Sequence, residues 1–156
     1  MATTVLYAED DANDVALVQV ALQPRPDLDL QFVVDGAEAM NYLAGRGKFA
    51  ERRTYPVPDV ILLDIKMPRL SGFDVLAWLR QQSSLAAIPV IAFSSSDQRT
   101  DIDKAYHLGV NAYVVKPSGF VRLQTVLLQT IDFFAHQRMP APLRDLAASV
   151  PELREQ

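Results

Sequence analysis

Four short apolar runs in the chain are each followed at once by a group able to do chemistry. Glu9 and Asp10 follow residues 5–8, Asp64 follows residues 60–63, Ser94 opens a serine triplet after residues 90–93, and Lys116 and Pro117 follow residues 112–115. Three carboxylates side by side repel one another, and burying uncompensated charge is expensive. A hard dication resolves the repulsion. Magnesium takes oxygen ligands, uses one or two carboxylates and keeps waters that a phosphoryl oxygen can replace. Lys116 adds a fixed positive charge and Ser94 a donor. An aspartate between a metal and a lysine suits phosphoryl transfer, where positioning and charge stabilisation do most of the catalysis. As a nucleophile, such an aspartate forms an acyl phosphate. Each group has a bland alternative: acids after a strand cap the next helix, serines fill loops and caps, and a lysine beside a proline turn is a surface charge. Four strands placing matching groups at one edge by coincidence is the weaker reading.

The groups meet only if the runs are parallel strands of one sheet. Residues 5–8, 30–34, 60–63, 90–93 and 112–115 are short, rich in Val, Ile, Leu and aromatics, and mostly lack polar alternation. Strands of that kind are buried on both faces; residues 30–34 are less uniform and suit a place near an edge. Helical signals lie between them. Asp11 to Asp14 offer N-caps before Val15, Val18 and Leu22, with Pro24 and Pro26 as the stop. Gly36 opens a segment carrying Ala39, Met40 and Leu43, and Ser71 caps one carrying Val75, Leu76 and Leu79. Asp97 or Thr100 caps the next, which closes at Gly109. Ser118 begins the last, with Phe120, Leu123, Leu127, Ile131 and Phe134 at helical spacing. Five strands alternating with five helices predict a doubly wound α/β sheet. Its ligand crevice lies at the carboxyl ends of the strands, where the order reverses. Residues 45–58 are long for a connection and read as partly ordered or as a recognition loop. Residues 139–156, with three prolines and charged residues at the end, read as a tail or short helix after a domain spanning 1–138.

Composition narrows the classes. The 156 residues include 19 acids and 15 bases, a formal charge of −4, with 22% charged residues, against a duplex-binding surface. The absence of cysteine excludes disulfides, cysteine-based zinc sites and a cysteine nucleophile. His107 and His136 are too far apart in sequence for a His-rich metal cluster. No apolar run approaches a membrane span, and the start carries no basic region typical of a signal peptide. The expectation is a cytoplasmic single domain without nucleic-acid or membrane partners.

The runs LYAEDD (6–11), LLDIKMPRLSGFDVL (62–76), IAFSSS (91–96) and GVNAYVVKP (109–117) stand in an order and spacing that cover residues 4–135. In these motifs the sequence resembles the CheY-like receiver domain of two-component response regulators. The resemblance implies the strand order 2-1-3-4-5 and makes Asp64 the phosphoacceptor. It implies Mg2+ held by Asp10 and Asp64 directly, by Glu9 through water, and by the main-chain carbonyl of Lys66. Ser94 is implied as the switch hydroxyl and Lys116 as the phosphate-facing lysine, with a cis bond to Pro117. Tyr113 matches the aromatic whose rotation reports phosphorylation. Glu9 stands where aspartate is commoner, and Lys66 puts an ammonium near the expected acyl phosphate.

GRGKF, the long 45–58 connection and the SSSD run are similar to single-domain regulators paired with phytochrome-type histidine kinases of the cyanobacterial kind. The implied protein takes a phosphoryl group from a sensor histidine kinase and signals to a protein partner. It would be no enzyme beyond self-catalysed phosphotransfer and dephosphorylation. A phosphate sink or shuttle in a phosphorelay is the alternative. An aspartyl-phosphate phosphatase or phosphotransferase of the haloacid-dehalogenase type needs a second aspartate where Lys66 stands, and a pseudo-receiver would lack the acceptor or the acid pair. In the last helix Phe120, Leu123, Leu127 and Ile131 are expected on the sheet, with Val121, Leu128 and Ala135 pointing elsewhere. That outer row is a candidate homodimer surface, or else is covered by residues 139–156. Trp78 reads as a core or edge residue, Gly72 as a flexible turn, and Arg52 with Arg53 as a solvated charge group.

Overall fold

Val60, Ile61, Leu62 and Leu63 form a strand with no polar side chain because both of its faces are covered; each is at most 1% exposed. The computed structural model describes residues 2–135. Five parallel strands, β1 (Thr3–Ala8), β2 (Leu28–Val33), β3 (Val60–Leu63), β4 (Val90–Ser94) and β5 (Ala112–Val115), form one sheet in the order β2-β1-β3-β4-β5. Between and after them run α1 (Ala12–Leu22), α2 (Gly36–Ala44), α3 (Gly72–Arg80), α4 (Arg99–His107) and α5 (Phe120–Phe134). The expected fold class, order and helix number hold. No helix among the described residues is long and apolar enough to cross a membrane.

Alternate strand residues point to opposite faces, which divides the apolar set into two cores. Leu6, Ala8, Ile61, Leu63 and Ala92 pack with Ala39 and Leu43 of α2, Val75, Leu76 and Leu79 of α3, and Ala105 of α4. Val5, Tyr7, Val60, Leu62, Ile91 and Phe93 pack with Val15, Val18 and Leu22 of α1 and with Leu123, Leu127 and Ile131 of α5. Each fully buried aliphatic side chain contributes about 1.5–3 kcal/mol. β2, at the sheet edge, is only partly buried, as its mixed sequence predicts.

Caps fix where three helices begin. The Asp11 carboxylate accepts from the Asn13 and Asp14 amides, and Asp35 accepts from the Glu38 amide. Ser71 and Asp74 form a reciprocal capping box at α3. Two expected starts shift. Neither Asp97 nor Thr100 caps α4. Its N-cap is Gln98, whose amide is taken by the Ser96 hydroxyl at 3.3 Å. α5 starts after Gly119, not at Ser118, because Gly119 sits at φ 90, a backbone state that favours glycine. The expected α5 rows also change at their ends. Phe120, in the first turn, is 40% exposed, whereas Ala135 is buried because it continues the Leu127–Ile131 row at a spacing of four.

Residues 45–58 are ordered around a small aromatic centre. A 3-10 turn, Gly47–Ala50, buries Phe49, whose ring centroid lies 5.1 Å from that of Tyr42 and 5.0 Å from that of Tyr55. Arg52 is not a solvated charge: it donates to the carbonyls of Tyr42 (2.7 Å), Leu43 (2.8 Å) and Tyr55 (3.2 Å). The first two belong to the last turn of α2, where carbonyls run short of amide partners. Arg53 is exposed as expected, and Trp78 is half-buried against the first core. The expected boundary at 138, the tail at 139–156 and His136 lie outside the described residues.

Candidate functional site

The ladder that orders the sheet continues one step past the strands and sets the chemical groups level. Ala8 pairs with Leu63 in β1–β3, and the Asp64 amide donates onward to the Ala8 carbonyl at 3.1 Å. Ser94 pairs with Val115 in β4–β5, and the Lys116 amide donates to the Ser94 carbonyl at 2.8 Å. The acids after β1, the aspartate after β3 and the lysine after β5 therefore share one rim. That rim includes the β1/β3 boundary, where the strand order reverses and crevices form.

Lys116 is the centre of the cluster. Its ammonium pairs with Glu9 Oε1, with Asp14 Oδ2 at 2.9 Å and with Asp64 Oδ2 at 3.1 Å, and lies 5.8 Å from the Phe93 ring centroid. Burial alone would favour losing the proton, but the bonds to Glu9 and Asp14 outweigh it and hold Lys116 charged well above its usual range. The expected cis bond is not present: the Lys116–Pro117 peptide is trans, as are all those described. Trans remains the favoured isomer even before proline, and the lysine reaches all three acids with it.

Asp64 is buried, and its second oxygen accepts from the Lys66 amide at 2.9 Å, so the loop backbone fixes the carboxylate from below. Glu9 is 1% exposed, with Oε2 accepting from the Asp10 amide at 3.0 Å. Burial, with the neighbouring Asp64 carboxylate, pushes Glu9 up to about 8 against the pull of Lys116. Asp10 stands exposed at the mouth. Ligand oxygens of Glu9, Asp10 and Asp64 lie within 4.8 Å of one another. An all-oxygen, acid-rich donor set of this kind fits a hard dication.

Asp14 was expected only as a cap. It is a ligand of Lys116, and bonds to Lys116 and Glu9 pull it below the usual carboxylate range although burial opposes them. The available signal was its place in the first turn of α1, one turn past Asp10. Gly72 serves close approach rather than turn flexibility. A Cβ there would strike the Asp64 carbonyl oxygen and lie 2.7 Å from the Ile65 Cα, so only glycine lets α3 start against the acceptor loop.

The remaining predicted residues line the β4 side. Ser94 is fully buried, and its hydroxyl accepts from the Ser96 amide at 3.3 Å. The Tyr113 hydroxyl donates to the Ser96 carbonyl at 2.7 Å. The Lys66 ammonium pairs with Asp101 of α4 at 3.0 Å.

The family model described as "Response regulator receiver domain" matches residues 5–128. The chain is 35% identical over 113 residues to the response regulator Rcp1 of Synechocystis sp., covering 72% of this chain and 75% of that protein. Among solved structures it is similar to the phosphorylated cyanobacterial phytochrome response regulator RcpA. The TM-score is 0.81 and the identity 31%, covering 90% of this chain and 100% of the other. A Mn2+-bound form of Rcp1 aligns at TM-score 0.75 and 32% identity, covering 89% and 99%.

Proposed function

The chain belongs to the response regulator receiver domain family, and from that premise we propose that it takes a phosphoryl group from a histidine kinase onto Asp64 and passes the signal to a protein partner. The observation that carries this is the Asp64 carboxylate, buried at the end of β3 with one oxygen on Lys116 and the other on the Lys66 amide. An Asp64 oxygen attacks phosphorus in line. The P–N bond of the donor phosphohistidine breaks, and the imidazole nitrogen leaves with the electron pair. Lys116 stabilises the charge on the phosphoryl oxygens. Asp10 and Asp64, with the Lys66 carbonyl and with Glu9 through water, would hold Mg2+, which supplies further positive charge at those oxygens when bound. Ser94 then turns to the phosphoryl group and Tyr113 follows, reshaping the face of α4, β5 and α5. Water attack on the acyl phosphate, promoted in the same site, resets the domain.

The similar protein RcpA is a cyanobacterial phytochrome response regulator, which supports a phytochrome-type kinase as the donor. Such kinases present phosphohistidine in the cytoplasm, the compartment we assign to this chain. We also assign α5 as a homodimer surface, on the exposure of Val121 and Phe133. Incubation with acetyl phosphate and Mg2+, read by intact mass, tests the acceptor. One phosphoryl group is expected on the wild type and none on Asp64→Asn. Equal labelling of both would remove the assignment.

A further inference from the structure

Ser96 spends its three polar groups on three different parts of the molecule. Its amide donates to the Ser94 hydroxyl at 3.3 Å, its carbonyl accepts from the Tyr113 hydroxyl at 2.7 Å, and its hydroxyl donates to Asp101 Oδ2 at 2.6 Å. The same Asp101 oxygen receives the Lys66 ammonium at 3.0 Å. Lys66 follows the acceptor by two residues, and its amide already holds Asp64 Oδ1. Asp101, on α4, has a side chain only 15% exposed although Lys66 is 58% exposed, so the shared oxygen is shielded on one side. Tyr113 is tied further, its amide donating to the Tyr106 hydroxyl at 3.1 Å. An unbroken chain of polar contacts thus runs from the acceptor loop through α4 to Ser94 at the end of β4.

We infer that Lys66 and Asp101 form a clasp that holds residues 94–96 in the resting position and thereby limits how fast Asp64 takes up a phosphoryl group. The inference rests on the acceptor role proposed for Asp64. Turning Ser94 toward a phosphoryl group breaks or strains its bond to the Ser96 amide, and Ser96 is anchored to Asp101. A contact made in one of two states holds the population there, and losing it releases the other. Phosphorylation itself supplies the release. The new anionic oxygens on Asp64 compete with Asp101 for the Lys66 ammonium, whose flexible stem leaves the same loop. Lys66 and Asp101 are positioning residues here; neither enters the bond-making step.

The test is a double-mutant cycle on the full chain, with uptake from acetyl phosphate and Mg2+ timed by intact mass. Lys66→Met keeps the stem and removes the charge; Asp101→Asn keeps an acceptor for Ser96. Each single change is expected to raise the uptake rate about two- to five-fold, the scale of one partly shielded ion pair. The double variant should be no faster than the faster single. Asp103→Asn removes the neighbouring Arg99–Asp103 pair on α4 and should leave the rate unchanged. The Tyr113 ring resonances, read by NMR without any phosphodonor, should move in both single variants. Unaltered rates in variants of a wild type that does take phosphate, additive effects in the double, or unmoved Tyr113 resonances would each overturn the clasp. A wild type that takes no phosphate would overturn the acceptor reading, and the clasp as a rate device with it.

Discussion

Lys116 faces more negative charge than it can balance. Glu9, Asp14 and Asp64 all bond it, and the Asp10 carboxylate is close by. One acid therefore gains from holding a proton, and Glu9, the most buried, is the one raised, from an ordinary 4.5 to about 8. The folded protein then binds a proton that the unfolded chain releases. Its contribution to stability is full below the unfolded value and declines as pH rises through the folded one. Urea unfolding without divalent ions should show a midpoint falling between about pH 4.5 and 8. The fall should shrink in Glu9→Gln, which carries no titrating proton, and with Mg2+, which replaces the proton by a fixed charge. A wild-type slope indistinguishable from that of Glu9→Gln would refute the assignment. At this scale Glu9, Asp10, Asp64, Ser94 and Lys116 were legible because each follows an apolar run. Asp14 was not, because its distance from Lys116 is set by the packing of α1 against α5, which follows β5.

The helices show how side chains without chemistry hold the rim in place. The capping box at Ser71 and the glycine contact at Gly72 start α3 directly against the backbone of the Asp64 loop. Arg52 binds two carbonyls at the end of α2 and that of Tyr55, and so joins the helix to the aromatic centre of residues 45–58. Arg52→Ala removes these bonds, and hydrogen bonds of this charged kind contribute about 1.5–3 kcal/mol. A loss of that order is expected in urea unfolding, with faster amide exchange at Gly45 and Arg46, whose amides bond the last turn of α2. Unchanged stability would show that Arg52 is only laid along the surface. The cap at Ser71 could be read from sequence because it is local. The role of Arg52 could not, since its acceptors lie up to ten residues away.

At the scale of the molecule, the two most exposed large apolar side chains among the described residues both lie on α5. Val121 is 76% exposed and Phe133 60%, with Val115 and Phe120 near 40%. If this face joins two copies, light scattering should give a mass that rises with concentration, and rises further with beryllofluoride as a phosphate mimic. A monomer at every concentration, with and without the mimic, would end the dimer assignment.

The order of apolar runs, the residues that follow them and the local caps determined the sheet, its helices and the identity of most of the site. These are properties of short segments, set by periodicity and by groups a few residues apart. Tertiary structure decided the partners: Lys66 on Asp101, Asp14 on Lys116, Arg52 on α2, Ala135 inside and Phe120 at the surface. Each choice depends on which of several reachable groups the packed elements bring within about 3 Å. Distances between segments far apart in the chain are fixed only once the cores have closed around the sheet.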